Sequence, residues 1–170
     1  MNRKLIYLLI LVSLLVSGPY FIKTKTLVIE EAASGQVIYQ QQVSPGLEFA
    51  IKYTHSVENT PVWDYFKVTE DQLLLTSTKY MSYGAGLPFL DKNDYVVADD
   101  KFTIKNIDAE LSQIPLRVSD YAKHKLLING HKYKLYKLTA TQNLVNIKVE
   151  EHNLYQLLAW EVQQWWKKKS

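Results

Sequence analysis

The residue types that carry acid–base and ligand chemistry gather in the stretch Tyr53-Thr54-His55-Ser56-Val57-Glu58, with Asp64 a few positions on. An imidazole beside carboxylates suits proton transfer, a small carboxylate ligand or a cation. The flanking pattern decides which of them can meet. Leu47, Phe49, Ile51 and Tyr53 alternate with Glu48, Ala50, Lys52 and Thr54, the period of a strand with one buried face. Continuing that alternation turns His55 and Val57 inward and Ser56 outward. On a returning strand, Val62, Asp64, Phe66 and Val68 share a face. A four-residue link, Glu58-Asn59-Thr60-Pro61, then sets Val57 opposite Val62, His55 opposite Asp64, Tyr53 opposite Phe66 and Ile51 opposite Val68. Opposed Cβ atoms lie about 4.5–5.5 Å apart. His55 and Asp64 are therefore expected to hydrogen-bond, which offsets the desolvation each suffers among apolar neighbours.

That pair has two readings. With Glu58 and Ser56 it forms a polar site at one mouth of the sheet; alone it fixes the hairpin register, the commoner use of a buried polar pair. Two ligands are too few for zinc, and His124, His131 and His152 fall in other segments, so no metal and no cofactor are expected. A Ser56/His55/Asp64 hydrolase needs adjacent strand residues to point the same way, which the pleat forbids. Gly-x-Ser-x-Gly, Walker-type and dinucleotide patterns are absent, and no enzymatic activity is expected. Two other features bear on binding. Gly84 and Gly86, in Tyr83-Gly84-Ala85-Gly86-Leu87-Pro88, permit either an amide cradle for an anion or an ordinary turn. Arg117 is the one arginine beyond Arg3, and its planar fork suits a two-pronged hold on a carboxylate or a surface role.

These residues need a scaffold of strands. Short alternating runs follow one another from Thr26 to Glu151, broken at Ser34-Gly35, Pro45-Gly46, Thr60-Pro61, Gly84-Ala85-Gly86 and Asn129-Gly130. Thr26–Ala32 and Gln36–Val43 read as a hairpin around Ser34-Gly35. Asn129-Gly130 is the pair favoured in two-residue turns and joins Lys125–Ile128 to His131–Leu138. Leu144–Glu151 is a last strand with Val145, Ile147 and Val149 on one face. Without crossover helices, the expected fold is mainly β, an antiparallel sandwich or barrel. After His152, Leu154, Leu158, Val162 and Trp165 line one side of a C-terminal amphipathic helix, which either closes an end of the sheet or lies at a membrane interface.

The N-terminus adds an address. Leu5 to Ile22 carries no charge, giving roughly 27 Å of helix, just enough to span a bilayer. Arg3 and Lys4 precede it, so the positive-inside rule leaves the N-terminus in the cytoplasm and residues 23–170 outside. A cleaved signal peptide ending near Val16-Ser17-Gly18 is the alternative, and it would release the rest as a secreted protein; Pro19 just after that cut disfavours processing. Three segments follow: 1–22 as signal anchor or signal peptide, 23–151 as the exported β-domain, and 152–170 as the terminal helix and basic tail.

Charge and cysteine usage narrow the partners. The net charge is +3, but of 20 basic residues Arg3, Lys4, Lys167, Lys168 and Lys169 lie at the ends, leaving 15 against 17 acidic ones. The body lacks the cationic excess that a phosphate backbone demands, so nucleic acid is not an expected partner. With no cysteine, disulfides, thiolate catalysis and a lipid-modified cysteine are all excluded.

In combination, Tyr53-Thr54-His55-Ser56-Val57-Glu58, Tyr83-Gly84-Ala85-Gly86-Leu87-Pro88 and Leu116-Arg117-Val118, in this order, resemble the family called domain of unknown function 1850, over roughly Leu27 to Val149. The family's motif positions map to His55, Ser56, Val57, Glu58, Gly84, Gly86 and Arg117, and Asp64 matches an acidic position that follows the His-Ser pair. Members are small exported proteins often encoded beside tripartite ATP-independent periplasmic (TRAP) transporters with a TAXI solute-binding subunit. The resemblance implies an accessory role at such a transporter, with no catalytic residues to carry over. The competing expectation is an extracytoplasmic binding module for a small carboxylate or cation, using His55, Glu58, Arg117 and the glycine loop.

Overall fold

A computed structural model describes residues 3–81, 95–98 and 101–169. In chain order the described elements are α1 (Arg3–Phe21), β1 (Lys23–Glu31), β2 (Val37–Gln42), β3 (Glu48–Thr54), β4 (Pro61–Val68), β5 (Leu73–Tyr80), β6 (Tyr95–Ala98), β7 (Lys101–Ile104), β8 (Ala109–Leu111), β9 (Ile114–Arg117), β10 (Lys125–Ile128), β11 (His131–Lys134), β12 (Leu144–Asn153) and α2 (Leu154–Lys169), with a 3-10 turn at Leu135–Lys137. The chain divides into two compact units, Leu27–Val149 and, separately, Met1–Thr26 with Glu150–Ser170.

The fold is mainly β, as the alternating runs imply. One sheet has the order β2-β1-β12-β9; the other has eight strands, β11-β10-β3-β4-β5-β7-β6, with β8 alongside β5. The sheets are antiparallel, and among the described residues neither closes into a barrel. A shared core joins their inner faces. Leu27 and Ile29 of β1 and Val145 and Ile147 of β12 pack in one cluster with Phe49 and Ile51 of β3, Phe66 and Val68 of β4, and Leu126 and Ile128 of β10. Each is at most 4 % exposed, and burying a side chain of this size contributes about 1.5–3 kcal/mol. Phe49 and Phe66, directly opposite one another, stack with centroids 5.3 Å apart. A smaller cluster of Val62, Tyr80 and Ile104 sits further along the eight-stranded sheet.

Local chemistry sets the turns. Between β1 and β2, Gly35 donates its N–H to the Glu31 carbonyl at 2.8 Å and takes φ +68°, while Ser34 Oγ donates to Glu31 Oε2. Asn129 and Gly130, at φ +49° and +74°, close the two-residue turn between β10 and β11 in the left-handed region that such a turn needs. β11 is shorter than the run to Leu138 suggests, because the chain coils into the 3-10 turn from Leu135, whose side chain is fully buried.

The β3–β4 register departs from expectation. Asp64 pairs with Ile51, Tyr53 with Val62 and Thr54 with Pro61. The faces are as expected, but the connection is six residues, 55–60, and not four. His55 is the reason: its Nδ1 accepts the N–H groups of Val57 and Glu58 at 3.4 and 3.3 Å, and Asn59 N–H bonds the His55 carbonyl at 3.0 Å. Side-chain acceptance of local amides competes with ladder pairing, and Asn59 at φ +54° completes the reversal.

In the other unit, α1 is a run of Leu, Ile and Val none of whose side chains is buried. It is long and apolar enough to serve as a membrane anchor or signal. Ser17 Oγ donates to the Ser13 carbonyl one turn back, keeping the hydroxyl satisfied on an apolar helix. Along the face of α2 singled out by spacing, Leu158 and Val162 are each 54 % exposed and Trp165 is 50 % exposed, while Leu157, about a quarter turn round the helix, is buried. Tyr155 hydroxyl donates to the Val16 carbonyl of α1.

Candidate functional site

Because the turn begins at His55, the imidazole and the Asp64 carboxylate do not face each other. Asp64 lies opposite Ile51, four positions back from His55, or about 13 Å along the strand at 3.3 Å per residue. The expected pair is thus absent, and each residue has its own partners. His55 caps its turn, and its Nδ1 acceptance puts the neutral ring's hydrogen on Nε2. Ser56 is exposed, and its carbonyl takes the Tyr121 hydroxyl at 3.3 Å; the same hydroxyl donates to Asn59 Oδ1 at 2.5 Å. Thr54 N–H bonds the Ala122 carbonyl, so the 119–123 turn is laced to the 55–60 turn. Glu58 is half-buried within it.

Asp64 points inward from the row between the two apolar clusters. Thr78 Oγ1, directly across on β5, donates to its Oδ1 at 2.9 Å, and the Tyr53 hydroxyl also bonds it. Among the described residues no cation forms an ion pair with it. Burial pushes the carboxyl above its ordinary value, against the opposing pull of the Thr78 and Tyr53 hydrogen bonds. Burial, and then the Asp64 charge, likewise raise the Tyr53 phenol. The Tyr53 ring stacks on His124 with centroids 5.5 Å apart; that imidazole is buried, takes the Ser119 N–H on Nδ1 and is held below its usual pKa by desolvation. The resulting Thr78–Asp64–Tyr53 network, with His124 stacked against it, is a satisfied polar seam inside the sheet.

Arg117 lies exposed on β9, and its Nη1 donates to the Gln142 carbonyl at 2.8 Å, a backbone partner and no carboxylate. Gly84 and Gly86 lie outside the described residues. Among the described residues no group of three or more His, Asp or Glu stands close enough to hold a metal.

Sequence reasoning missed the outward face of the eight-stranded sheet. Reading across the strands, Lys134 of β11 faces Lys125 of β10, Lys125 faces Lys52 of β3, Lys52 faces Trp63 of β4, and Trp63 faces Lys79 of β5. Lys52 Nζ sits 4.5 Å from the Trp63 ring centroid. In the neighbouring row Lys132, Leu127, Ala50 and Tyr65 stand side by side and line a surface cleft of 430 Å³. The alternation Glu48, Ala50, Lys52 marked this face as outward, but nothing local could reveal that β10 lies beside β3, since some seventy residues separate them.

The profile of the family described as Domain of unknown function (DUF1850) matches residues 49–135, from the first core position of β3 to the 3-10 turn. No curated protein and no solved structure matches the chain. The matched span is just over half of the 170 residues and holds β3–β4, the His55 turn, the Asp64 seam, Arg117 and the lysine row, so the chain belongs to the DUF1850 family.

Proposed function

We propose that the chain is a non-enzymatic, membrane-tethered extracytoplasmic protein that serves as an accessory to a TRAP-type solute transporter. The observation that carries the tether is α1: 19 residues, rich in Leu, Ile and Val, with no buried side chain. Such a helix is about 28 Å long, close to the roughly 30 Å of a bilayer's hydrocarbon. Left in water its Leu and Ile side chains forfeit the transfer free energy that lipid supplies. Arg3 and Lys4 before it favour a cytoplasmic N-terminus, with the β-unit outside. On this reading α2 lies along the outer leaflet. At 100° per residue, Leu154, Tyr155, Leu158, Val162, Trp165 and Trp166 share one arc, and Trp and Tyr are the residues that favour the headgroup level. Tyr155 bonds the Val16 carbonyl, within the last turn and a half of α1, which supports an interfacial position for that arc.

The non-enzymatic part is supported by the way the candidate residues are engaged. His55 caps a turn, Asp64 is tied to Thr78 and Tyr53, and Arg117 holds a carbonyl, each for a structural purpose. The transporter partner is supported by the family resemblance. Pull-down of the full chain from solubilised membranes tests it: a multi-span TRAP permease is expected to copurify in stoichiometric yield. Recovery of the chain alone after chemical crosslinking in intact cells contradicts the accessory role.

A further inference from the structure

The lysine row is at odds with ordinary sheet chemistry. Like charges directly opposite on neighbouring strands destabilise the pairing, yet Lys134, Lys125 and Lys52 stand opposite one another on three consecutive strands with no acid between them. Among the described residues no carboxylate forms an ion pair with any of the three, nor with Lys132. Desolvation, then the charges of Lys125 and Lys132, hold the Lys52 ammonium below its usual pKa. The face of Trp63 offsets part of that repulsion, as an aromatic quadrupole does for a cation. What the row lacks is an anion.

The adjoining cleft says what kind. Its floor is Ala50, 4 % exposed, and Leu127; Tyr65 forms one wall, and Lys132 stands at the other. Lys52 follows Ala50 on β3 and Lys125 precedes Leu127 on β10, each by two residues on the same outward face, about 6.7 Å away along its strand. Lys52 and Lys125 therefore stand in the row just beyond one end of the floor, with Lys132 beside it. Glu48 lines the far end and is the one carboxylate among the described lining residues, so an anionic group is better placed at the lysine end. A volume of 430 Å³ lies within the range of small-ligand sites, about 300–1,000 Å³.

We infer that the outward face of the eight-stranded sheet binds a small organic carboxylate, its apolar body on Ala50 and Leu127 and its anionic group between Lys52, Lys125 and Lys132. The site lies wholly within the Leu27–Val149 unit and does not depend on the transporter reading.

Calorimetric titration of the full chain in phosphatidylcholine nanodiscs tests it, with benzoate as the probe and benzamide and inorganic phosphate as comparisons. Benzoate is expected to bind saturably, and benzamide and phosphate about tenfold more weakly or worse. Lys52→Gln with Lys132→Gln is expected to weaken benzoate by about tenfold or more, while Arg at both positions keeps it. The Gln variant relieves like-charge repulsion, so its melting temperature is expected to match or exceed the parent's. Four results overturn the inference: no saturable benzoate binding, equal binding of benzamide, binding undiminished in the Gln variant, or binding of inorganic phosphate as tight as benzoate.

Discussion

Asp64 is a side chain whose protonation bears on the stability of this fold. Its carboxyl is raised by burial, so the folded chain holds the proton more tightly than the unfolded chain, whose value lies near 3.8. Stability is therefore greatest below that value and falls as pH rises through the raised folded value. His124 works the other way: desolvation lowers its folded pKa, so stability falls as pH drops below the ordinary 6.5. Asp64→Asn cannot ionise and still offers an acceptor to Thr78 and a donor to the Tyr53 oxygen. Urea unfolding from about pH 4 to 8 is expected to lose the decline with rising pH, with stability at pH 7 equal to the parent's or higher by about 1 kcal/mol. A variant several kcal/mol less stable at pH 7 would show that the charged form is the one the seam holds. The inward orientation of Asp64 was legible from alternation with Val62 and Phe66. Its partner was not, because Thr78 lies on a third strand and no pattern within the hairpin points to it.

Hairpins divide into those the sequence specifies and those it leaves open. Asn129-Gly130 demands left-handed backbone at both positions, which fixes a two-residue turn and hence the Lys125↔Lys134 to Ile128↔His131 register. Gly130→Ala puts a Cβ on a residue at φ +74° where nothing lies within 4 Å, so its cost is backbone strain alone. Chemical denaturation is expected to register about 1 kcal/mol of destabilisation, and no loss would mean the turn tolerates an L-residue. The 55–60 connection carries no such signal. A histidine ring accepting two amides outcompetes two further ladder pairs, and that contest depends on a side-chain geometry which residue type alone does not disclose. Strand alternation gave the faces, and only the fold gave the neighbours. The lysine row exists because β10 docks beside β3, a non-local pairing.

Across the chain, the apolar surface is distributed in two ways. The β-unit hides its Leu, Ile, Val and Phe side chains between two sheets, as a water-soluble domain does. The other unit leaves them outside: Leu9, Leu11, Leu14 and Leu15 of α1 are each more than half exposed, and so is Trp166 of α2. That contrast supports the proposed tether, and the apolar helix itself was legible because an uncharged run of Leu and Ile behind Arg3 and Lys4 needs no tertiary information to interpret. The outer arc of α2 was legible in period but not in role, since spacing shows which residues share a side and not what covers them. The tether is tested most directly by an epitope tag at each end of the full chain, with external protease added to intact cells stripped of their walls. The C-terminal tag is expected to be digested, while the N-terminal tag stays protected and sediments with membranes after an alkaline carbonate wash. A C-terminal tag that survives until the cells are lysed, or a chain recovered in the soluble cytoplasmic fraction, contradicts the account.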